Sequence, residues 1–246
     1  MSGSVLILGG SSAIARACAA SLAARGHDLY LAGRDLEELR RDATDLQIRY
    51  GVKVDFGRFD ADEVAHFPAF FEQVLAECGS LQGVVLAYGY LGEQGLAASS
   101  DAETLAILER NFVSAARVLN HCAAYLEPRG EGFIIGISSV AGDRGRQSNY
   151  TYGAAKGALS LYLEGLRNRL FASGVSVLTV KPGFVDTAMT YGLPGMFLVA
   201  SPQQVGERIV RAMERGRNVI YVPWFWRYIM LIIRHVPEII FKRLKL

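Results

Sequence analysis

Val5-Leu6-Ile7-Leu8 is an unbroken apolar run that passes directly into Gly9-Gly10-Ser11-Ser12 and then an alanine-rich stretch reaching Arg25. A strand that is apolar at every position is buried on both faces. Handed straight to a helix, it continues by crossing over to a parallel neighbour, because a tight hairpin is closed to it. The unit recurs along the chain. Further strands are predicted over 27–32, 52–59, 83–87, 132–137, 175–180 and 218–222, with helices over 36–50, 67–78, 103–125, 152–170 and 202–215. Seven such strands imply a single α/β domain, a doubly wound parallel seven-stranded sheet with helices on both faces. Residues 1–216 form its body, and 217–246 hold the last strand and a tail of the same domain. A length of 246 residues is enough for one full core and asks for no second domain.

Composition narrows the class. The net charge of +2 gives no general attraction to nucleic acid. Three cysteines, Cys18, Cys78 and Cys122, stand apart in apolar helical contexts without a CxxC spacing, which predicts reduced core thiols and no metal site. The first residues enter a strand almost at once and lack the pattern of a signal peptide, so a cytoplasmic chain is expected.

The turn after the first strand opens a helix whose first amides are free to receive an anion. Gly9, Ser11, Ser12 and Ile14 are its candidate contacts, with Ala13 and Ala15 standing where glycines are usual. Arg34 follows the second strand and suits a 2′-phosphate; Asp35 beside it suits a helix N-cap. NADP(H) is therefore favoured, with NAD(H) as the alternative. Asp60 ends the third strand, where a turn-forming residue is the local reading.

The chemistry sits later. Ser138-Ser139 ends the fifth strand, Tyr152 lies thirteen residues beyond Ser139, and Lys156 four beyond that, one helical turn above Tyr152. A phenol with a pKa of about 10 is a poor acid at neutral pH. An ammonium beside it lowers that pKa and makes it a usable proton donor. Ser139 can hydrogen-bond a carbonyl or alcohol oxygen beside the tyrosine.

With its flanks, this set resembles the short-chain dehydrogenase/reductase family, which implies a Rossmann fold and hydride transfer with a nicotinamide cofactor. By that resemblance Asn111, Ser139, Tyr152 and Lys156 are the catalytic set, with Asn111 supporting a proton-relay water and Tyr152 and Lys156 also contacting the cofactor, Lys156 at its ribose. Asp60 would contact adenine, and Ala87 and Gly89 would lie against the adenosine ribose, although Leu86-Ala87-Tyr88-Gly89 departs from the family's usual Asn-Asn-Ala-Gly. Pro182-Gly183 with Val185 and Thr187 would fold over the nicotinamide. Residues 188–201, with Tyr191, Pro194, Gly195, Met196 and Phe197, are expected to form an apolar lid. Homodimers or homotetramers through the helices bearing Asn111 and Tyr152 are also implied.

Residues 217–246 carry a net +5 against −3 for the rest, and interleave Trp224, Phe225, Trp226, Tyr228 and a run of aliphatics with Arg227 and Arg234. No uncharged run reaches the roughly 20 residues that span a bilayer. The pattern predicts an interfacial helix pair attracted to anionic lipid, placing the protein peripherally on the inner face of the plasma membrane. A tail that covers the core or a second subunit is the alternative. Within the family, the tail and turn resemble reductases of lipid-linked keto-sugars that work beside a separate FAD-dependent oxidase. A lipid-linked sugar substrate and such a partner are thereby implied. Another lipid-like or small ketone, or a non-catalytic NADP-binding scaffold, stays open.

Overall fold

The computed structural model describes residues 3–192 and 197–244. Pro194, Gly195 and Met196 of the expected lid, and Lys245 and Leu246 of the tail, lie outside them. Seven strands are present: β1 Ser4–Leu8, β2 Leu29–Gly33, β3 Val54–Arg58, β4 Leu81–Leu86, β5 Phe133–Ile137, β6 Ser176–Pro182 and β7 Val219–Val222. They pair in the order β3-β2-β1-β4-β5-β6-β7, every pair parallel. The order reverses direction between β1 and β4, which opens a crevice at the carboxyl ends of those strands.

One face of the sheet is covered by α1 (Ala13–Ala23), α2 (Leu36–Tyr50) and, through Val205, Ile209 and Val210, the helix Pro202–Glu214. The other face is covered by α3 (Phe67–Cys78) and two long helical segments. After a single turn, α4 (Gln94–Ala97), the first of these runs as α5 (Asp101–Leu108), a π-helical turn at Glu109–Val113 and α6 (Ser114–Leu126). The second is α7 (Tyr150–Leu170), followed in the chain by α8 (Pro202–Glu214), α9 (Trp226–His235) and α10 (Glu238–Phe241). Helix ends follow their sequence signals. Asp35 caps α2 by accepting from the Glu38 amide at 3.0 Å, and Gly51 closes it in the left-handed region. Ser201 caps α8 ahead of Pro202.

The tail does not stand away from the body. Trp226, Met230 and Phe241 are buried, with Trp226 and Met230 packed against Val140 and Phe184. Arg144 donates to the carbonyls of Ile233 and Val236 at 2.6 Å each and pairs with Glu238 at 2.9 Å. It thus satisfies the free carbonyl end of α9. The interfacial helix pair expected from the sequence is in part a core-covering tail, because one stripe of α9 has a partner. The opposite stripe, with Tyr228, Leu231 and Ile232, is exposed. Among the described residues, no helix is long and apolar enough to cross a membrane.

Candidate active site

All but one of the expected cofactor contacts from the first half of the chain line a crevice between β1 and β4; Ile14 is not part of the lining. A cleft of about 240 Å³ there is lined by Gly9, Ser11, Ser12, Arg34 and Asp60, and by Ala87 and Gly89 on its far side. Gly9 has φ of +82°, and a side chain on it would meet the backbone of Tyr88 at 2.8 Å, so only glycine makes this turn. Ser12 caps α1, accepting from the Ala15 amide at 3.2 Å, and donates to the Ala87 carbonyl at 3.1 Å, tying the turn to the end of β4. Ala13 and Ala15 sit in the first turn of α1, where φ is negative and a methyl group is no obstacle. Among the described residues no backbone bond occupies the amides of Ser11, Ala13 and Ile14. Free amides at a helix start, a glycine-only turn and Arg34 at the rim fit a phosphate-bearing dinucleotide. Asp60 lines the cleft and accepts from the Asp62 amide at 3.1 Å, as a turn-forming residue does.

Pro182 ends β6 and Gly183, Val185 and Thr187 follow it; none of the four is part of that cleft's lining. Val185 is bridged to Ala200, closing the base of the segment expected as a lid, and Met189 from that segment reaches the cleft. Met189, Tyr191, Phe197, Leu198 and Val199 are exposed, leaving an apolar surface there. Gly183 lies against the Trp226 indole so closely that a side chain on it would overlap the ring. The Pro-Gly turn and the tail are therefore one packed unit.

Ser139, Tyr152 and Lys156 come together because the turn Val140–Asp143 approaches α7 almost backbone to backbone. A side chain on Gly142 would meet the Gly157 amide at 2.6 Å, and one on Gly153 the Ala141 carbonyl at 2.8 Å. Lys181 and Tyr221 fix the turn from β6 and β7, both bonding Asp143. Ser139 stands beside the Tyr152 phenol, where its hydroxyl favours the ionised form, and accepts from the Ala141 amide at 3.1 Å. Ser138 is occupied elsewhere: it donates to the Lys156 carbonyl at 2.8 Å and meets Ser160 at 2.7 Å.

Lys156 is buried, 3% exposed, and donates to the Ile137 carbonyl at 3.1 Å. Burial lowers its ammonium to about 8 and raises the Tyr152 phenol to about 12, with the Ser139 hydroxyl pulling the other way. The lowering of the tyrosine expected from the lysine is not among the influences on the phenol in this arrangement, where Nζ stands 5.8 Å from the ring centre.

Asn111 lies in the π-helical turn and is 1% exposed, so it is no surface residue. Its side chain pins Tyr90, accepting from the Tyr90 amide at 3.1 Å and donating to its carbonyl and to that of Ile107. Gly89 fits between Asn111 and Lys156: a side chain there would meet Oδ1 at 2.8 Å and Nζ at 3.2 Å.

Several residues escaped the sequence reading. Arg110 lines the cofactor cleft, stacks over Tyr90 and holds Asp62 at 2.7 Å. In the loop between Ser139 and Tyr152, Nε of Arg146 and Oδ1 of Asn149 are buried without a hydrogen-bond partner. Arg146 carried a readable signal, a charged residue between two candidate groups. The roles of Gly142 and Gly157 show only once two distant segments meet. Cys18 and Cys122 are buried thiols raised to about 12 by burial, as expected of core cysteines.

Fold and site define an α/β protein built to present a serine, a tyrosine and a lysine beside a dinucleotide crevice. The chain belongs to the short-chain dehydrogenase family of NAD(P)-dependent oxidoreductases. The family described as short chain dehydrogenase matches residues 4–194. An uncharacterized oxidoreductase of Mycobacterium tuberculosis is 35% identical over 240 residues, covering 98% of this chain and 96% of the relative. A 3-oxoacyl-[acyl-carrier-protein] reductase of Chlamydia muridarum is 30% identical over 191 residues, 76% of each chain. Among solved structures, a short-chain dehydrogenase from Sphingobium yanoikuyae in complex with NADPH has the same fold, with a TM-score of 0.82, 24% identity and 96% of each chain covered.

Proposed function

We propose that the protein is an NADP(H)-dependent ketoreductase whose substrate is a lipid-linked keto-sugar. The observation that carries the reading is the meeting of Ser139, Tyr152 and Lys156 at the carboxyl end of β5, beside the crevice that fits the cofactor. NADP(H), when bound, supplies the hydride. Tyr152 gives the proton to the carbonyl oxygen, and Ser139 holds that oxygen beside the phenol. Lys156, buried and cationic below pH of about 8, favours the phenolate left behind and binds ribose. Asn111 is a positioning residue that holds the Tyr90 backbone and supports the relay water. Ile14, Pro182, Gly183, Val185 and Thr187 complete the cofactor contacts. Arg34 at the cleft rim supports NADP(H) over NAD(H), and the NADPH complex of the Sphingobium protein agrees with that preference.

Three features support the substrate class. The surface around Met189, Tyr191 and Phe197 is apolar, and Arg146 offers a buried guanidinium without a partner at Nε, suited to an anionic group on the substrate. The third is a sequence resemblance. The turn Gly9-Gly10-Ser11-Ser12-Ala13-Ile14-Ala15, Tyr90-Leu91-Gly92, and the runs Arg227-Tyr228-Ile229-Met230 and Arg234-His235-Val236-Pro237 resemble decaprenylphosphoryl-2-keto-ribose reductase. On that reading a separate FAD-dependent oxidase makes the ketone, and the pair inverts a ribose to an arabinose donor for cell-wall polymers. The protein works in the cytoplasm, peripherally on the inner face of the plasma membrane. It assembles as a homodimer or homotetramer through the helices bearing Asn111 and Tyr152, whose surfaces expose Leu105, Val113 and Leu161.

The test is NADPH oxidation by the purified protein with the oxidase and a polyprenyl-phosphoryl ribose in detergent. Conversion to the arabinose epimer that needs both proteins is expected. Turnover of simple ketones without any turnover of the lipid-linked sugar would refute the substrate assignment.

A further inference from the structure

A cleft of about 1110 Å³ lies along the open edge of β7, between α8 and α9. Six arginines line it, Arg208, Arg211, Arg215, Arg217, Arg227 and Arg234, and no carboxylate does. Among the described residues only Arg211 of the six has an ion-pair partner, Glu207 at 2.7 Å. Guanidiniums gathered around one cleft repel one another, and an anion among them removes that repulsion. Their planar fork matches phosphate oxygens two at a time.

The same cleft is lined by Trp224, Tyr228 and Leu231, exposed by 57%, 57% and 55%. Ile232 beside them is 68% exposed. A soluble phosphate compound has no use for such a rim, whereas large aromatic and aliphatic side chains beside arginines suit the headgroup level of a bilayer. A second copy of the chain fits less well. β7 is an edge strand that could pair across a two-fold axis, but pairing would set two arginine clusters against each other.

We propose that this groove docks on the phosphate headgroups of an anionic lipid bilayer, with Trp224, Tyr228 and Leu231 entering the interface beside it. The proposal rests on the peripheral-membrane reading above and gives it a site. Half of the site lies outside the tail, since Arg208 and Arg211 belong to α8 and Arg215 is its C-cap. The inner stripe of α9, through Trp226, packs on Phe184 and Phe197 of the expected substrate surface. Docking by the outer stripe would therefore set that surface close to the bilayer, where a lipid-linked substrate resides.

The experiment is co-sedimentation of the full chain, with and without NADPH, with vesicles of phosphatidylcholine alone or mixed with phosphatidylglycerol. Binding to the mixed vesicles only is expected. It should weaken on the order of a hundredfold in the triple variant R208Q/R215Q/R217Q. The matched variant R40Q/R41Q/R49Q, which removes equal charge from α2, should bind as the parent does. NADPH-dependent reduction of a soluble ketone should be unchanged in both variants, which also reports that they fold. Equal binding to both vesicle types, or an equal loss in the α2 variant, overturns the proposal. So does arginine-dependent binding of inorganic pyrophosphate without vesicle binding, or a dimer that dissociates in the triple groove variant. Vesicle binding without any ketone reduction would sink the reductase reading and leave the docking site standing; reduction without vesicle binding would do the reverse.

Discussion

The molecule handles positive charge in two opposite ways. Lys156 is one ammonium sealed beneath the candidate site, 3% exposed and lowered to about 8 by burial. The groove along β7 gathers six guanidiniums in the open, with one ion pair among them. In the first case desolvation is the dominant effect. A single charge in a poor dielectric acts strongly on its nearest neighbours, and its protonation state changes near physiological pH. In the second, water and salt screen each charge, so only the sum acts, and it acts at a distance. A lysine suits the first role because its pKa moves readily; arginines suit the second because they stay charged.

The sharpest way to break the comparison is at the buried charge. Lys156→Met should lower kcat for ketone reduction on the order of a hundredfold. With the lysine present, kcat should be flat at low pH and fall as pH rises through about 8, where the ammonium loses its proton. The variant should lose that limb, and a profile that keeps it would assign the titration to another group. Next in size is Arg34→Glu, which removes one charge-assisted contact at the cofactor rim. It should lower kcat/KM for NADPH by about 2 kcal/mol, roughly thirtyfold, while NADH is little affected. Equal losses with the two cofactors would take the phosphate away from Arg34. Salt separates the two kinds of charge directly. Raising ionic strength should weaken vesicle binding through the groove and leave kcat on a soluble, uncharged ketone unchanged.

The smallest effect concerns an ordinary exposed pair. Glu207 accepts from Arg25 and Ser21 and ties α8 to α1. The Arg25 and Ser21 hydrogen bonds lower its carboxyl to about 2. A lowered carboxylate stabilises the fold above its unfolded pKa, and the contribution disappears as pH falls from the ordinary value of 4.5 through about 2. The side chain is 38% exposed, so screening limits the effect. Glu207→Gln should cost about 1 kcal/mol at neutral pH and nothing in strong acid, read by denaturant unfolding.

Much of this was legible in the chain. The apolar runs dictated a parallel sheet, and α2 and α3 span the expected 36–50 and 67–78, with Asp35 as the N-cap of α2. The Ser139, Tyr152 and Lys156 spacing was readable because α7 supplies the four-residue step itself. What stayed hidden depends on encounters between distant segments. The expected helix 103–125 gave no sign of its π-helical turn, since apolar periodicity tolerates one extra residue per turn. The tail read as one apolar and basic surface, because periodicity reveals stripes and not which stripe finds a partner. The arginine groove was hidden for a further reason: three of its residues come from α8 and its C-cap, inside the part of the chain whose net charge is negative.

The central claim is that Tyr152 gives the proton at a site whose cofactor is held mainly by other groups. Tyr152→Phe removes one hydroxyl and nothing of the ring. The most direct measurement is kcat for NADPH-dependent ketone reduction alongside the NADPH dissociation constant, for the parent and this variant. A fall in kcat on the order of a thousandfold at an unchanged dissociation constant is the expected result. Turnover within a few-fold of the parent would contradict it.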